Sequence, residues 1–321
     1  MKTEDVFVTG GAGFIGSHLV DELMLREFDV TILDNLSNGS MENIEKWLGN
    51  PNFLFIHQDL LDKKITKELR GCKVAFHLAA NPEIRISTTD PRTHYQQNIQ
   101  ATFNLLESIR GLGDIETLVF TSSSAVYGEP ADIPTREDYG PLKPISVYGA
   151  SKLSCEALIT AYAYTYGFKA IIYRLANIVG SRSKHGVAYD FVWKLRRNPK
   201  ELEILGDGTQ TKSYLHVEDC VKAMFIGLKK AESQVEIFNI GSEDQITVKA
   251  LAKIVTEEMG LQNAEHRFTG GVNGGRGWVG DVKKMLLDIA ELKSRGWSLR
   301  YNCDHSVRLA VREVLQQALP F

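Results

Sequence analysis

The chain has 321 residues, 37 Lys and Arg against 40 Asp and Glu, a net charge of −3 and a pI near 6.3. That balance excludes nucleic acid and anionic membrane as partners, because phosphate-backbone binding needs clustered Lys and Arg, and Lys194-Leu195-Arg196-Arg197 reads as a solvated helix face. The length allows a large α/β domain plus a smaller one, no apolar run is long enough to span a bilayer, and the scattered Cys72, Cys155, Cys220 and Cys303 suggest neither a zinc site nor a disulfide framework.

Met1 to Asp5 leads straight into a strand, leaving no room for a signal peptide, so a cytoplasmic chain with reduced thiols is expected. Val6-Phe7-Val8 is that strand, and Thr9 to Leu19 reads as a glycine turn opening a helix. Gly10, Gly13 and Gly16 recur every third residue, which suits a tight turn, close approach of backbone to a phosphate and close packing of helix on strand. A pyrophosphate would sit on the positive end of the helix, against the backbone that runs through Phe14 and Ile15. A glycine-rich turn after an ordinary strand is the competing reading.

The first helix is expected from His18 to about Arg26, followed by the apolar run Val30-Thr31-Ile32-Leu33 and by Asp34-Asn35. Asp34 lies 18 positions past Gly16, near the spacing at which a carboxylate reaches an adenosine ribose. A 2′-phosphate would meet its negative charge, so the pairing favours NAD. Further apolar runs, Phe53 to Ile56, Val74 to Leu78, Leu118 to Phe120 and Ile171 to Tyr173, alternate with helical stretches, the rhythm of βαβ units in a doubly wound parallel sheet. Ligands of such sheets bind beyond the carboxyl ends of the strands. Asp59-Leu60 could border an adenine there, and Leu78-Ala79-Ala80 offers small side chains where backbone must approach a cofactor; an ordinary strand end is the alternative for each.

Two long helices are expected over about 94–110 and 149–166, the second carrying Tyr162, Tyr164 and Tyr166 as core, domain contact or subunit contact. Past Gly180 the βαβ rhythm stops, Asn198-Pro199 and Gly206-Asp207-Gly208 mark turns, and Gly270 to Gly275 reads as a loop of little intrinsic order. Val307, Ala310, Val311, Val314, Leu315 and Ala318 line one face of a C-terminal helix.

Tyr148 and Lys152 stand four apart, so both project from one helix face. A phenol must lose about 3 units from its ordinary pKa to act as a base at neutral pH, roughly 4 kcal/mol. An ammonium about 4 Å away at an effective dielectric near 20 supplies on the order of 4 kcal/mol. Chance spacing is the alternative until the sheet context is added. The serines after Leu118-Val119-Phe120 could pass a substrate proton to Tyr148 or could cap a turn. No G-x-S-x-G, H-E-x-x-H or Asp-rich metal loop occurs, so no metal is expected.

In order along the chain, Thr9 to Leu19, Asp34-Asn35, His77 to Ala80, Thr121 to Gly128, Tyr148-x-x-x-Lys152, Arg174 to Asn177 and Gly206 to Asp219 resemble the extended short-chain dehydrogenases/reductases, most closely their UDP-glucose 4-epimerase group. The resemblance implies a Rossmann domain holding NAD, over 1–174 and about 213–240, and a smaller mixed α/β domain gripping a UDP-sugar, over about 175–212 and 241–321. It implies Tyr148 as the base, Lys152 as its pKa-lowering partner and ribose ligand, and Ser123, with Ser124 as a candidate to share the role, as the proton-relaying hydroxyl. Asn98 resembles the asparagine that braces the site, and Asn177 the one facing the diphosphate. Lys212-Ser213-Tyr214 stands where relatives carry Arg-Asp-Tyr, so Lys212 would meet phosphate as a point charge. Arg276 and Asp281 resemble the pair flanking the nucleotide, while Arg85 faces either the substrate or a salt bridge. Where related dehydratases carry Asp-Glu and decarboxylases a glutamate, this chain has Ser124 and Ala125, which leaves reversible oxidation at C4 of a UDP-hexose, and a homodimer through the two long helices is implied. A net oxidoreductase, an epimerase at another carbon and a non-catalytic NAD sensor are the other readings.

Overall fold

The structure is a computed structural model that describes residues 5–62 and 65–317, so Ala318 and the Met1 to Glu4 lead lie outside the described residues. The chain runs β1 (Asp5–Thr9), α1 (Phe14–Leu25), β2 (Asp29–Asp34), β3 (Phe53–His57), β4 (Val74–His77), α2 (Pro91–His94), α3 (Ala101–Leu112), β5 (Thr117–Ser123), α4 (Val147–Tyr166) and β6 (Lys169–Leu175). It continues through β7 (Asn177–Val179), α5 (Val187–Arg197), β8 (Glu201–Ile204), β9 (Thr211–Lys212), β10 (Tyr214–His216), α6 (Val217–Lys230) and β11 (Val235–Ile240). The last elements are β12 (Ile246–Thr247), α7 (Val248–Glu258), β13 (Glu265–Phe268), β14 (Lys284–Met285), α8 (Ala290–Ser294) and α9 (Cys303–Gln317).

Two compact units form: Met1–Ser123 with Ala150–Arg174 and Gly227–Phe238, and Ser124–Gly149 with Leu175–Ile226 and Asn239–Phe321. The second is as long as the first, because it takes in 124–149, a segment that the sequence reading put with the dinucleotide-binding part. Thr135 anchors that segment, its amide donating to the Leu286 carbonyl at 2.9 Å and its own carbonyl accepting from Asp288 N and Asn239 Nδ2, both at 2.9 Å.

A seven-stranded sheet in the order β11-β6-β5-β4-β1-β2-β3 organises the first unit, parallel from β3 through β5, which is the doubly wound Rossmann arrangement. Helices cover both faces of such a sheet, so β1 is buried from Val6 to Thr9 and reads in sequence as a continuous apolar run. Phe7, Leu105, Leu106, Leu118, Ile159 and Ile172 pack into one core. The first helix starts at Phe14, four residues before His18, because extended Gly13 caps it without a side-chain bond and so leaves no cap signal. The helix expected from 94 is continuous from Pro91 to Leu112 through a π-helical stretch, Tyr95–Gln100, that carries Asn98.

The second unit holds short sheets, β10-β7, β12-β9-β14 and β13-β8, around a core from α5, α7 and α9 that includes Phe191, Val192, Leu251, Val255, Val307 and Val311. Gly270 to Gly275 is not an unordered loop, because Val272 and Arg276 exchange both backbone hydrogen bonds at 2.9 Å and close it as a turn. All four cysteines are free and buried. No helix among the described residues is long and apolar enough to cross a membrane.

His77 pins the sheet to its covering helix. Thr9 Oγ1 lies 2.7 Å from Nδ1, and Nε2 lies 2.9 Å from Thr102 Oγ1, whose proton goes to the Asn98 carbonyl at 2.7 Å. That chain fixes a neutral imidazole that accepts at Nδ1 and donates from Nε2. Burial first, and then the charge of Lys152, push the His77 pKa down to about 3. The unfolded chain therefore binds the extra proton first, and stability contributed by neutral His77 is complete above pH 6.5 and is lost as pH falls toward 3, by up to about 5 kcal/mol. Chemical denaturation between pH 7 and 4 checks this: His77→Gln should flatten the acid loss, and an unchanged slope would contradict it.

Candidate active site

The glycine turn is shaped by contact with backbone rather than with side chains. A Cβ on Gly16 would stand 2.0 Å from the Gly10 carbonyl oxygen, and one on Gly10, whose φ is +73°, would stand 2.7 Å from Ala79 N. The turn therefore closes against the end of β4, where Leu78 N donates to Thr9 O at 3.1 Å and Ala79 N to Thr9 Oγ1 at 3.3 Å. Half-buried Phe14 and Ile15 open α1 directly after it, at the positive end of the helix. Asp34, at the carboxyl end of β2, accepts Ala12 N on Oδ2 at 3.0 Å and Leu36 N on Oδ1 at 2.8 Å. Burial pushes its carboxyl above the ordinary carboxylate range, against the pull of those two amides and of His57. A cradle that any Cβ would fill, beside a helix N-terminus and a strand-end carboxylate tied to the Ala12 amide of the same turn, fits a dinucleotide.

Asp59 and Leu60 are more occupied than the sequence suggests. Asp59 takes Asn35 Nδ2 at 2.6 Å and Leu61 N at 2.8 Å, while the Leu60 side chain is in the core and its carbonyl accepts Asn104 Nδ2 at 2.8 Å. Ala80 is half-buried, one residue before Asn81.

Tyr148 and Lys152 share the first turns of α4. Ser146 Oγ accepts Gly149 N at 3.0 Å, and a Cβ on Gly149 would stand 2.5 Å from the Ala125 carbonyl, so the helix start lies against the turn Ser124–Tyr127 that follows Ser123. Lys152 is 3% exposed; its Nζ donates to the Thr121 carbonyl at 2.9 Å and lies 4.8 Å from the Phe120 ring centroid. Burial pulls its pKa down to about 8, opposed by Cys155 and Glu156, so it stays mostly an ammonium at neutral pH. Asn98 braces this region: Oδ1 accepts Asn81 N at 2.8 Å and Nδ2 donates to Ser151 Oγ at 2.9 Å.

The second unit gathers the remaining residues. Asn177 on β7 donates from Nδ2 to the Ser213 carbonyl at 3.0 Å. Lys212 Nζ lies 2.5 Å from Asp281 Oδ1, and Asp281 Oδ2 accepts Gly277 N at 3.1 Å. Arg276 pairs with Glu129 and with the Asn273 carbonyl. In the first unit Arg85 is forked onto Glu83 with half its side chain in solvent, which is the salt-bridge reading. Among the described residues no group of three or more His, Cys, Asp and Glu is placed to hold a metal.

Two features escaped the sequence: Glu129 as partner of Arg276, and the buried Glu156 that joins Arg174 to Ser122. Glu129 left no signal at a separation of 147 residues, but Glu156 lies four past Lys152 and the helical spacing could have exposed it. Replacing Asp34 by Asn removes a charged hydrogen-bond acceptor and should weaken NAD binding about 10- to 100-fold by calorimetric titration. Unchanged affinity would contradict the expectation that Asp34 holds NAD.

Comparison with known proteins agrees with this geometry. The profile of the NAD dependent epimerase/dehydratase family matches residues 6–241. A solved UDP-galactose 4-epimerase resembles the chain with a TM-score of 0.86 and 41% sequence identity, covering 98% of this chain and 100% of that one. The putative UDP-glucose 4-epimerase of Methanocaldococcus jannaschii is 36% identical over 313 residues, 95% of this chain and 97% of its own length. UDP-glucuronic acid decarboxylase 4 of Arabidopsis thaliana is 32% identical, over 98% of this chain and 70% of its own length. With its glycine cradle, its Tyr-x-x-x-Lys helix and a family match across most of its length, the chain belongs to the NAD dependent epimerase/dehydratase family.

Proposed function

We propose that the chain inverts C4 of a UDP-hexose, UDP-glucose and UDP-galactose or their N-acetyl or uronic acid analogues, through a transient 4-keto sugar. The observation that carries this reading is the buried ammonium of Lys152 one helical turn after Tyr148. In its low-dielectric setting that charge favours the phenolate, and Tyr148 takes the C4 hydroxyl proton through the hydroxyl of Ser123, with Ser124 next to it. The turn of Gly10, Gly13 and Gly16, with Asp34, would hold NAD, which when bound would supply the hydride acceptor and, on return, the hydride donor. Tyr148 gives the proton back after the sugar has turned about its diphosphate tether, so the sugar must be held loosely and the nucleotide firmly.

Asn177, Lys212 and Arg276 are assigned to the nucleotide diphosphate. Each cation already has a carboxylate partner, Asp281 or Glu129, so the diphosphate must share or replace it. Ser124 and Ala125 support epimerisation over the decarboxylation named for the plant relative. A hydroxyl and a methyl cannot serve as a carboxyl acid or base. The free, buried cysteines suit a reducing cytoplasm.

Purified protein should interconvert UDP-glucose and UDP-galactose, or one of the analogue pairs, without added cofactor. Tyr148→Phe should lower kcat about 10²- to 10⁴-fold while NAD stays bound. A requirement for stoichiometric NAD(H), or full activity in the variant, would contradict the reading.

We also assign a homodimer to the α3 and α4 face, where Tyr162 joins the helices through a 2.8 Å bond to Glu107 while Phe103, Tyr164 and Tyr166 remain 39%, 65% and 49% exposed. Light scattering at micromolar concentration should give twice the 35.9 kDa chain mass; a clean monomer would contradict it.

A further inference from the structure

Three charged side chains are buried together at the inner end of this helix face. Lys152, Glu156 and Arg174 are 3%, 4% and 3% exposed. Arg174, on β6, forks onto Glu156 with Nε 3.1 Å from Oε1 and Nη2 2.8 Å from Oε2. Ser122, the residue before Ser123, donates its hydroxyl to Glu156 Oε1. Glu156 follows Lys152 by one helical turn, as Lys152 follows Tyr148.

Stability does not explain this arrangement. A buried ion pair is commonly replaceable by apolar residues at little cost, because desolvation offsets the Coulombic gain. What the carboxylate does do is balance two buried cations. The groups facing Lys152 are Cys155 and Glu156 on α4, His77 on β4, His94 on α2, and the Thr121 carbonyl and Phe120 ring on β5. Burial keeps the Cys155 thiol protonated and both histidines neutral. Glu156 is the one anion of that set.

We propose that Glu156 is a positioning residue for the reaction: its carboxylate, clamped by Arg174 and Ser122, keeps the Lys152 ammonium charged and ties α4 to the strand end that carries Ser123. The proposal rests on the roles given above to Tyr148 and Lys152. Arg174 opposes Glu156 in this respect, since a cation paired with the carboxylate reduces its net pull on Lys152 while fixing its position. Removing the anion and removing the second cation must therefore act with opposite sign, which damage to packing would not do.

The test follows the alkaline limb of kcat/KM for UDP-sugar epimerisation in Glu156→Gln, Arg174→Met and Glu156→Asp. Glu156→Gln should move the limb about one pH unit down, Arg174→Met should move it up, and Glu156→Asp, which keeps the charge, should hold it near the wild-type position. Denaturant unfolding of the full chain gives a readout free of turnover. Because the folded Lys152 pKa is near 8 and the ordinary value is 10.5, stability rises with pH across that window; in Glu156→Gln the rise should begin about one unit lower. Should Glu156→Gln not fold, Arg174→Met carries the test alone. Limbs and stability windows that stay in place while rates fall equally at all pH would overturn the proposal. Absence of epimerisation by the wild type would instead overturn the proposed reaction, with the unfolding measurement still deciding whether Glu156 acts on Lys152.

Discussion

An ammonium withdrawn from water sets the terms for this molecule. Lys152 sits at the carboxyl end of β5 with a backbone carbonyl and an aromatic face as its close neighbours. Burial weakens its hold on its own proton, yet a pKa near 8 leaves it charged at neutral pH. The same low dielectric that makes the charge costly makes it effective on a phenol one turn away. Much of the polar structure around it keeps other charges out: His77 is locked neutral between two threonines, and Asn98 spends its amide on Asn81 and Ser151.

The cations of the two groups of assigned site residues are held differently, and the difference fits what each is assigned to do. In the first, Lys152 donates to a backbone carbonyl, which in the proposed reaction leaves its charge to an oxygen that ionises. In the second, Lys212 and Arg276 rest on Asp281 and Glu129, partners that a diphosphate can share or displace. A firmly held diphosphate with a loosely held sugar is what inversion at C4 requires, because the ring must present both faces to one acceptor.

Much of the first unit was legible because strands such as β1 are buried on both faces and read as unbroken apolar runs, here Val6 to Val8. The turn at Gly10 was legible because backbone contact admits no Cβ, and Lys152 because helical periodicity is fixed. The start of α1 at Phe14 was not, since Gly13 caps it without a side chain. The strands of the second unit escaped because β9, β12 and β14 are two residues long and carry no period. Pairings across long separations, Glu129 with Arg276 or Asn239 with Thr135, leave no local pattern at all. The Gly270 to Gly275 turn misled because its order comes from two hydrogen bonds between Val272 and Arg276 rather than from residue preference.

The central claim, that C4 loses and regains its own hydrogen as hydride while Tyr148 handles the proton, is tested most directly with UDP-hexose carrying deuterium at C4. Incubation in ordinary water should give the C4 epimer with the deuterium retained at C4. Loss of deuterium to solvent, or solvent hydrogen appearing at any ring carbon, would contradict it.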